Sequence, residues 1–430
     1  MYERVYNEVV RGRLGEPRKF IQIVTGPRQV GKTTLVKQVL NSIKTPWMMF
    51  SADNVPASKR EWISECWESV RMRLRAEKLG EIILVIDEVQ KVKGWSEVVK
   101  KLWDEDTFYD TPIKVLLLGS SRVLLEKGLA DSLAGRYETI RMPHWSFAEM
   151  RDAFGFSLEQ YIYFGAYPAV AELVGNEERW SEYIRSSIMD ATINKDVLVD
   201  SVVSKPALLR QTFELAAAYS GEILSLTKMI GQLQDAGNTT TLSSYLHLLD
   251  DSGLVCGLQK YAVDNSRRRA SVPKYQVHNN ALKSVFCEAS FKEAMADSKL
   301  WGRLYESAVG CHIINSAFVH RLQPYYWRDG NDEVDFVLQS GKKTIGIEVK
   351  SNRERYNRGL AIFRERFKAY SAFVVGHEGY PAEDFLASDL RLLFRRDLDA
   401  QMNEILERRK LEAEMESQLE EPSFETDDND

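Results

Sequence analysis

Cysteine is scarce: the 430 residues contain four, Cys66, Cys256, Cys287 and Cys311, and no C-x-x-C pair. This excludes a zinc-ribbon or disulfide framework and makes a reducing, cytoplasmic setting the expectation. No apolar run approaches the roughly 20 residues that span a bilayer. Residues 1–30 lack the pattern of a secretory leader, so neither membrane insertion nor export is expected. A surplus of one charge is missing as well. The net charge of −6 hides a division, because Leu411–Asp430 carries nine acidic residues and no Lys or Arg. Without them the chain has 57 basic against 54 acidic residues, a body of about +3. That balance permits nucleic acid as a partner and gives it little support.

What is present suffices for several globular cores: 44% of the residues are hydrophobic and 28% charged. The length suggests about three domains. The chain is organised around Gly26-Pro27-Arg28-Gln29-Val30-Gly31-Lys32-Thr33-Thr34. The β-branched run Phe20–Thr25 precedes it, and Leu35–Leu40 follows with helical apolar spacing. A strand, a glycine-rich loop and a helix form the context that the G-x-x-x-x-G-K-[ST] pattern requires. The loop's N–H groups would wrap a phosphate at a positively polarised helix start. Lys32 would reach the β- and γ-phosphates, and the Thr33 hydroxyl would ligate Mg²⁺.

The next informative stretch is Ile82-Ile83-Leu84-Val85-Ile86-Asp87-Glu88. Five continuous branched aliphatics predict a strand buried on both faces, as in a parallel sheet. Its carboxylates fall at the strand end, where ligands of open α/β sheets sit. Asp87 would engage Thr33 or a Mg²⁺-bound water, and Glu88 would activate the water attacking the γ-phosphate. ATP and Mg²⁺ are therefore the expected ligands. A third buried strand, Lys114–Leu118, ends in Gly119-Ser120-Ser121. Ser120 is a candidate γ-phosphate sensor, with a helix-capping role as the alternative.

These motifs, together with Leu133-Ala134-Gly135-Arg136, Met142–Met150 and Tyr163-Phe164-Gly165-Ala166-Tyr167-Pro168, resemble the AAA-type ATPases that carry a DUF4143 region. The resemblance extends to about residue 395. One departure is Leu118, where such proteins often carry Thr before Gly-Ser-Ser. Arg136 is a candidate arginine finger, which would need an oligomer if it acted in trans. The alternative is a surface or interdomain ion pair.

Residues 1–150 are thus read as the ATPase domain and 151–222 as a helical region. Residues 223–300 read as winged-helix-like, with Leu224–Leu233 and Leu242–Leu249 as the two helices. Gly253–Leu258 and Lys274–Val277 would be the wing strands. Asn238, Thr239, Thr240, Ser243, Ser244, His247 and Arg267-Arg268-Arg269 suit DNA contact; docking of a protein partner is the alternative. Residues 301–396 follow an α-β-β-β-α-β order that resembles the PD-(D/E)xK nuclease fold. That resemblance implies that Asp335, Glu348 and Glu306 hold a second Mg²⁺ or Mn²⁺, with Lys350 orienting the attacking water. Glu348 and Lys350 lie two apart on a strand and so share a face. Tyr325, Tyr326 and Trp327 would brace this centre or stack on bases. Whether such a domain cleaves DNA or only binds a partner stays open. Residues 397–430 read as a charged helix and an acidic, disordered tail that aids solubility. The fold class expected is α/β throughout: a P-loop NTPase parallel sheet, a helical and winged-helix middle, and an α/β nuclease-like C-terminal domain.

Overall fold

Alternating burial explains the first sheet. In β3, Ile82–Asp87, every residue is buried. Ile82, Leu84 and Ile86 pack into one apolar layer with Trp67 and Val99, while Ile83 and Val85 enter another with Val36 and Val39. A strand whose two faces both meet helices has no polar face to show, so its sequence reads as a continuous aliphatic run. The neighbouring strands are β1 (Ile21–Thr25), β2 (Trp47–Ser51), β4 (Ile113–Gly119) and β5 (Tyr137–Arg141). They complete a five-stranded sheet in the order β2-β3-β4-β1-β5. Every pairing in it is parallel. The carboxyl ends of β1, β4 and β3 therefore lie side by side along one edge, with β4, which leads into Ser120, between the two motif strands.

The computed structural model describes residues 2–120, 132–198, 203–233, 238–264, 266, 268, 271–351, 358–377 and 379–395. Ser121, the turn residue Gly237, Arg267, Arg269 and the charged tail from 397 onward lie outside the described residues. No described helix is long and apolar enough to cross a membrane.

The second sheet has six strands in the order β11-β10-β9-β8-β6-β7. These are β6 (Val255–Lys260), β7 (Lys274–Val277), β8 (Gln323–Asp329), β9 (Asp332–Ser340), β10 (Lys343–Lys350) and β11 (Ser371–Gly376). The expected C-terminal order is present, opening with the long helix Ser298–His320 and including the helix Arg358–Phe367. The middle region differs from a free-standing winged helix. Its helices form at Leu226–Ile230 and Thr239–Asp251, and β6 pairs antiparallel with β7. However, β6 also pairs in parallel with β8 through Gln259↔Tyr325 and Lys260↔Tyr326. The anticipated division at residue 300 is thus crossed by a sheet, and one apolar core runs from Trp145 to Phe394. The physical reason is that β6 has an edge to satisfy, and β8 supplies the pairing that solvent would otherwise have to.

Helix Ser298–His320 lies very close to this sheet. A Cβ at Gly310 would fall 2.1 Å from Gln276 Oε1 and 2.8 Å from the Phe336 ring, so only glycine permits the approach. That closeness brings Glu306, one turn earlier on the helix, within reach of β7.

Candidate functional site

The helix Lys32–Ser42 starts directly at the glycine-rich loop, with Gly31 as its first flanking residue. Lys32 is buried, and its ammonium donates to the loop's own carbonyls, Gly26 O at 2.9 Å and Pro27 O at 2.8 Å. Thr33 Oγ1 donates to Asp87 Oδ2 at 2.8 Å. The other Asp87 oxygen is buried and has no hydrogen-bond partner among the described residues. Burial pushes the Asp87 carboxyl up, the Thr33 hydrogen bond opposes that, and Glu88 adds to it. A hydroxyl, a carboxylate with one unsatisfied oxygen and a neighbouring lysine form a donor set that fits a Mg-nucleotide.

Glu88 stands in left-handed backbone conformation, φ 54°, which is strained for a non-glycine residue. Its Oε2 accepts from Gln90 Nε2 at 2.7 Å and from Ser120 Oγ at 3.1 Å. Three sequence-separated candidates therefore converge, and Gln90, to which the sequence reading gave no role, joins them. Arg28 is half-buried, while Gln29 and Thr34 are exposed. Arg136 pairs with Asp104 instead of facing the loop's residues, at 2.7 Å through Nε and 3.1 Å through its second terminal nitrogen.

Val30 at the loop's centre is held from behind. Its carbonyl accepts from Trp145 Nε1 at 3.0 Å and from Arg4 at 3.2 Å. Arg4 is buried and forms a two-pronged pair with Glu149, at 2.7 and 2.9 Å. The Met142–Met150 block thus buttresses the loop. Arg4 itself carried no sequence signal, because its partner lies 145 residues away. A second contact comes from the middle region: Gly253 packs so closely on Pro27 that a Cβ there would lie 2.8 Å from Pro27 Cγ. His144 Nε2 is 3.4 Å from Gly253 O, and His144 Nδ1 is 3.2 Å from Asn279 Nδ2. Asn315 on the long helix accepts from His144 N at 3.2 Å and donates to His278 O at 2.8 Å. Burial holds the His144 imidazole down at about 3, with His278 adding to the shift.

At the second sheet the expected residues also meet, around a group that was not anticipated. Lys274 on β7 is fully buried. Its ammonium is 2.7 Å from Glu306 Oε1 and 3.6 Å from Asp335 Oδ1, and donates to Asp335 O at 3.0 Å. Asp335 Oδ2 accepts from Val349 N at 2.8 Å. Glu348 Oε1 is 3.2 Å from Lys350 Nζ. Burial alone would push the Lys274 ammonium down, but Glu306 and then Asp335 outweigh it and hold it above its ordinary value. Asp335 is pushed well up by burial and by Glu306, against the pull of Lys274. Glu348 is pushed up by burial, against Lys350. The space between Glu306 and Asp335 is therefore taken by an ammonium, and these residues do not fit the divalent cation expected there. The available signal was alternation: Lys274 and Gln276 are two polar residues on one face of a short strand, and both are buried.

Two further expectations change at this end. Tyr325, Tyr326 and Trp327 are buried, so they brace the sheet and present no ring to a base. Arg268 turns inward, donating to Tyr325 Oη at 2.9 Å and lying 5.0 Å from the Tyr261 ring centre. An arginine stacked between two tyrosines gains more from the rings than from exposure.

Residues 18–151 match the AAA domain family, and residues 301–390 match the domain of unknown function DUF4143. The chain thus carries an AAA domain near its start and a DUF4143 domain toward its end. Between them, residues 155–291 match a second domain of unknown function, DUF8612. An uncharacterized protein of Mycobacterium tuberculosis is 26% identical over 331 residues, covering 77% of this chain and 70% of that protein. One from Haemophilus influenzae is 25% identical over 355 residues, covering 77% of this chain and 82% of its own length. Among solved structures, a Walker-type ATPase of Pyrococcus abyssi superposes with a TM-score of 0.46 at 15% identity, covering 66% of this chain and 95% of that one. For the AAA domain the fold assignment rests on the family match and on the parallel sheet itself.

Proposed function

We propose that this AAA-domain protein binds Mg-ATP, hydrolyses it, and passes the nucleotide state of its loop to its C-terminal half. The observation carrying the first part is the convergence of Lys32, the Thr33–Asp87 bond and the Glu88–Ser120 contact on one sheet edge. The amides of Gly26 to Thr34 cradle the phosphates, and Lys32 exchanges the loop carbonyls for the β- and γ-phosphate oxygens. Thr33 and Asp87 hold the Mg²⁺, which when bound offsets phosphate charge. Glu88 takes the proton of the attacking water as its oxygen bonds to the γ-phosphorus and the bond to the ADP oxygen breaks. Gln90 and Ser120 orient that carboxylate. Phosphate release and nucleotide binding by Glu88→Gln test the assignment: ATP stays bound while turnover collapses. Unchanged turnover removes Glu88 as the base.

The second part rests on contact. Filling the loop moves Pro27, and Gly253 lies against it at the end of the helix Thr239–Asp251. The His144–Asn279 and His144–Asn315 bonds reach the long helix that bears Glu306. DNA as the partner of this half draws support from Thr240, Ser244 and His247, exposed at helical spacing on one face. A second reading, a nucleotide-dependent switch that binds a protein and cleaves nothing, is favoured by the inward Arg268 and the buried Tyr325, Tyr326 and Trp327. Those are the groups a nucleic acid would need on the surface. Gel-shift titration with single-stranded, double-stranded and branched DNA, with and without ATP, separates the two.

A further inference from the structure

We propose that Lys274 is a built-in counter-cation standing where the nuclease-like centre would otherwise take a divalent metal, so that this centre is metal-independent. Three carboxylates, Glu306, Asp335 and Glu348, converge there from a helix and two strands, and their repulsion in a buried space has to be offset by a cation or by a proton. The chain supplies it. The Lys274 ammonium is 2.7 Å from Glu306 Oε1 and 3.6 Å from Asp335 Oδ1, and its third partner is the Asp335 carbonyl at 3.0 Å. A Mg²⁺ or Mn²⁺ needs its oxygen ligands at about 2.0–2.2 Å. An ion that close to the same two carboxylates would lie within contact distance of the ammonium, and two cations so placed repel strongly in a buried site.

The lysine is also not placed to swing aside. It sits on β7 between Pro273 and Tyr275, with β6 paired along the strand. Its side chain is enclosed, with Nζ 4.8 Å from the Phe336 ring centre. The remaining carboxylate oxygens are mostly engaged: Asp335 Oδ2 by the Val349 amide at 2.8 Å, and Glu348 Oε1 by Lys350 at 3.2 Å. Among the described residues two of the cluster's oxygens are buried without a hydrogen bond, Glu348 Oε2 and Glu306 Oε1, and the second already faces the Lys274 ammonium at 2.7 Å, which leaves too few free oxygens for a divalent-cation site. The ammonium thus ties helix Ser298–His320 to β7 and β9, a fastening that the metal provides in a nuclease. The inference is independent of the nucleotide chemistry, because it concerns a different sheet.

The test counts Mn²⁺ by electron paramagnetic resonance on the full chain carrying Asp87→Asn, which removes the nucleotide-site carboxylate. The Asp87→Asn protein is expected to bind no Mn²⁺ that a further Asp335→Asn removes. Adding Lys274→Met is expected to create one Mn²⁺ site per chain, at least about tenfold tighter than any binding in its parent, and Asp335→Asn is expected to abolish it. An Asp335-dependent Mn²⁺ in the Asp87→Asn parent overturns the proposal. So does a folded Lys274→Met protein, judged by circular dichroism, that gains no site. If Lys274→Met fails to fold, the comparison of the parent with Asp87→Asn/Asp335→Asn decides alone, since it leaves the lysine in place.

Discussion

The two sheets of this protein gather the same kinds of residue, carboxylates beside a lysine, and treat them in opposite ways. At the first sheet Lys32 leans on backbone carbonyls and Asp87 keeps one buried oxygen unsatisfied. At the second, Lys274 lies directly among the carboxylates. In the first arrangement the lysine stands apart from the carboxylates, whereas in the second it is already paired with two of them. Whether a lysine borders a carboxylate cluster or fills it decides between a binding site and a structural ion pair. That distinction lies in three dimensions and not in residue type.

The largest effect that sharpens the comparison is expected from Glu88→Gln, which lowers ATP turnover by about 10²–10⁴-fold with nucleotide binding kept, measured by phosphate release and equilibrium dialysis. Next comes Lys274→Met. Removing one partner of a buried ionic cluster costs roughly 3–5 kcal/mol, read from urea unfolding. A loss below about 1 kcal/mol would show that the second cluster does not depend on its lysine. Arg4→Ala breaks the buried pair with Glu149 and the bond to Val30 O. Roughly 3 kcal/mol of stability is expected to go with it, together with a raised KM for ATP, because the loop loses its support.

A smaller effect depends on pH. His144 is held down at about 3 by burial and by His278, and His312 at about 4, chiefly by burial. Both ionise more easily in the unfolded chain, near the ordinary 6.5. The stability from keeping them neutral is therefore whole above pH 6.5 and is lost as the pH falls from there toward 3–4. Each contributes a slope of about 1.4 kcal/mol per pH unit in that window. His144→Gln, followed by urea unfolding between pH 7 and pH 5, is expected to show a shallower fall than wild type. The smallest effect is expected at Arg136→Ala. Its pair with Asp104 is over a third exposed on both sides, so less than about 1 kcal/mol of stability is at stake.

The sequence made the first sheet and its edge legible because that chemistry is local. A loop, a strand end and a serine each carry their signal within a few residues, and a parallel sheet puts strand ends together. The C-terminal strands were legible for the same reason, whereas the grouping of Glu306, Asp335, Glu348 and Lys350 came from the resemblance to the PD-(D/E)xK fold. Lys274 was not legible, because it lies 61 residues from Asp335 on a strand that was expected to belong to a separate wing. Pairing of β6 with β8 is non-local, and no spacing within either strand announces it. Arg4 and the inward turn of Arg268 were missed likewise, each being defined by distant partners, whereas Gln90 lies two residues from Glu88 and was given no role.

The contrast between an open site and a filled one is tested most directly by Mg²⁺-dependent phosphate release from ATP, measured on the purified full chain beside its Lys32→Ala variant. The account predicts turnover in the wild type that requires Mg²⁺ and disappears in Lys32→Ala. Turnover that survives the loss of Lys32, or a wild-type chain that releases no phosphate with Mg²⁺ and ATP present, would contradict it.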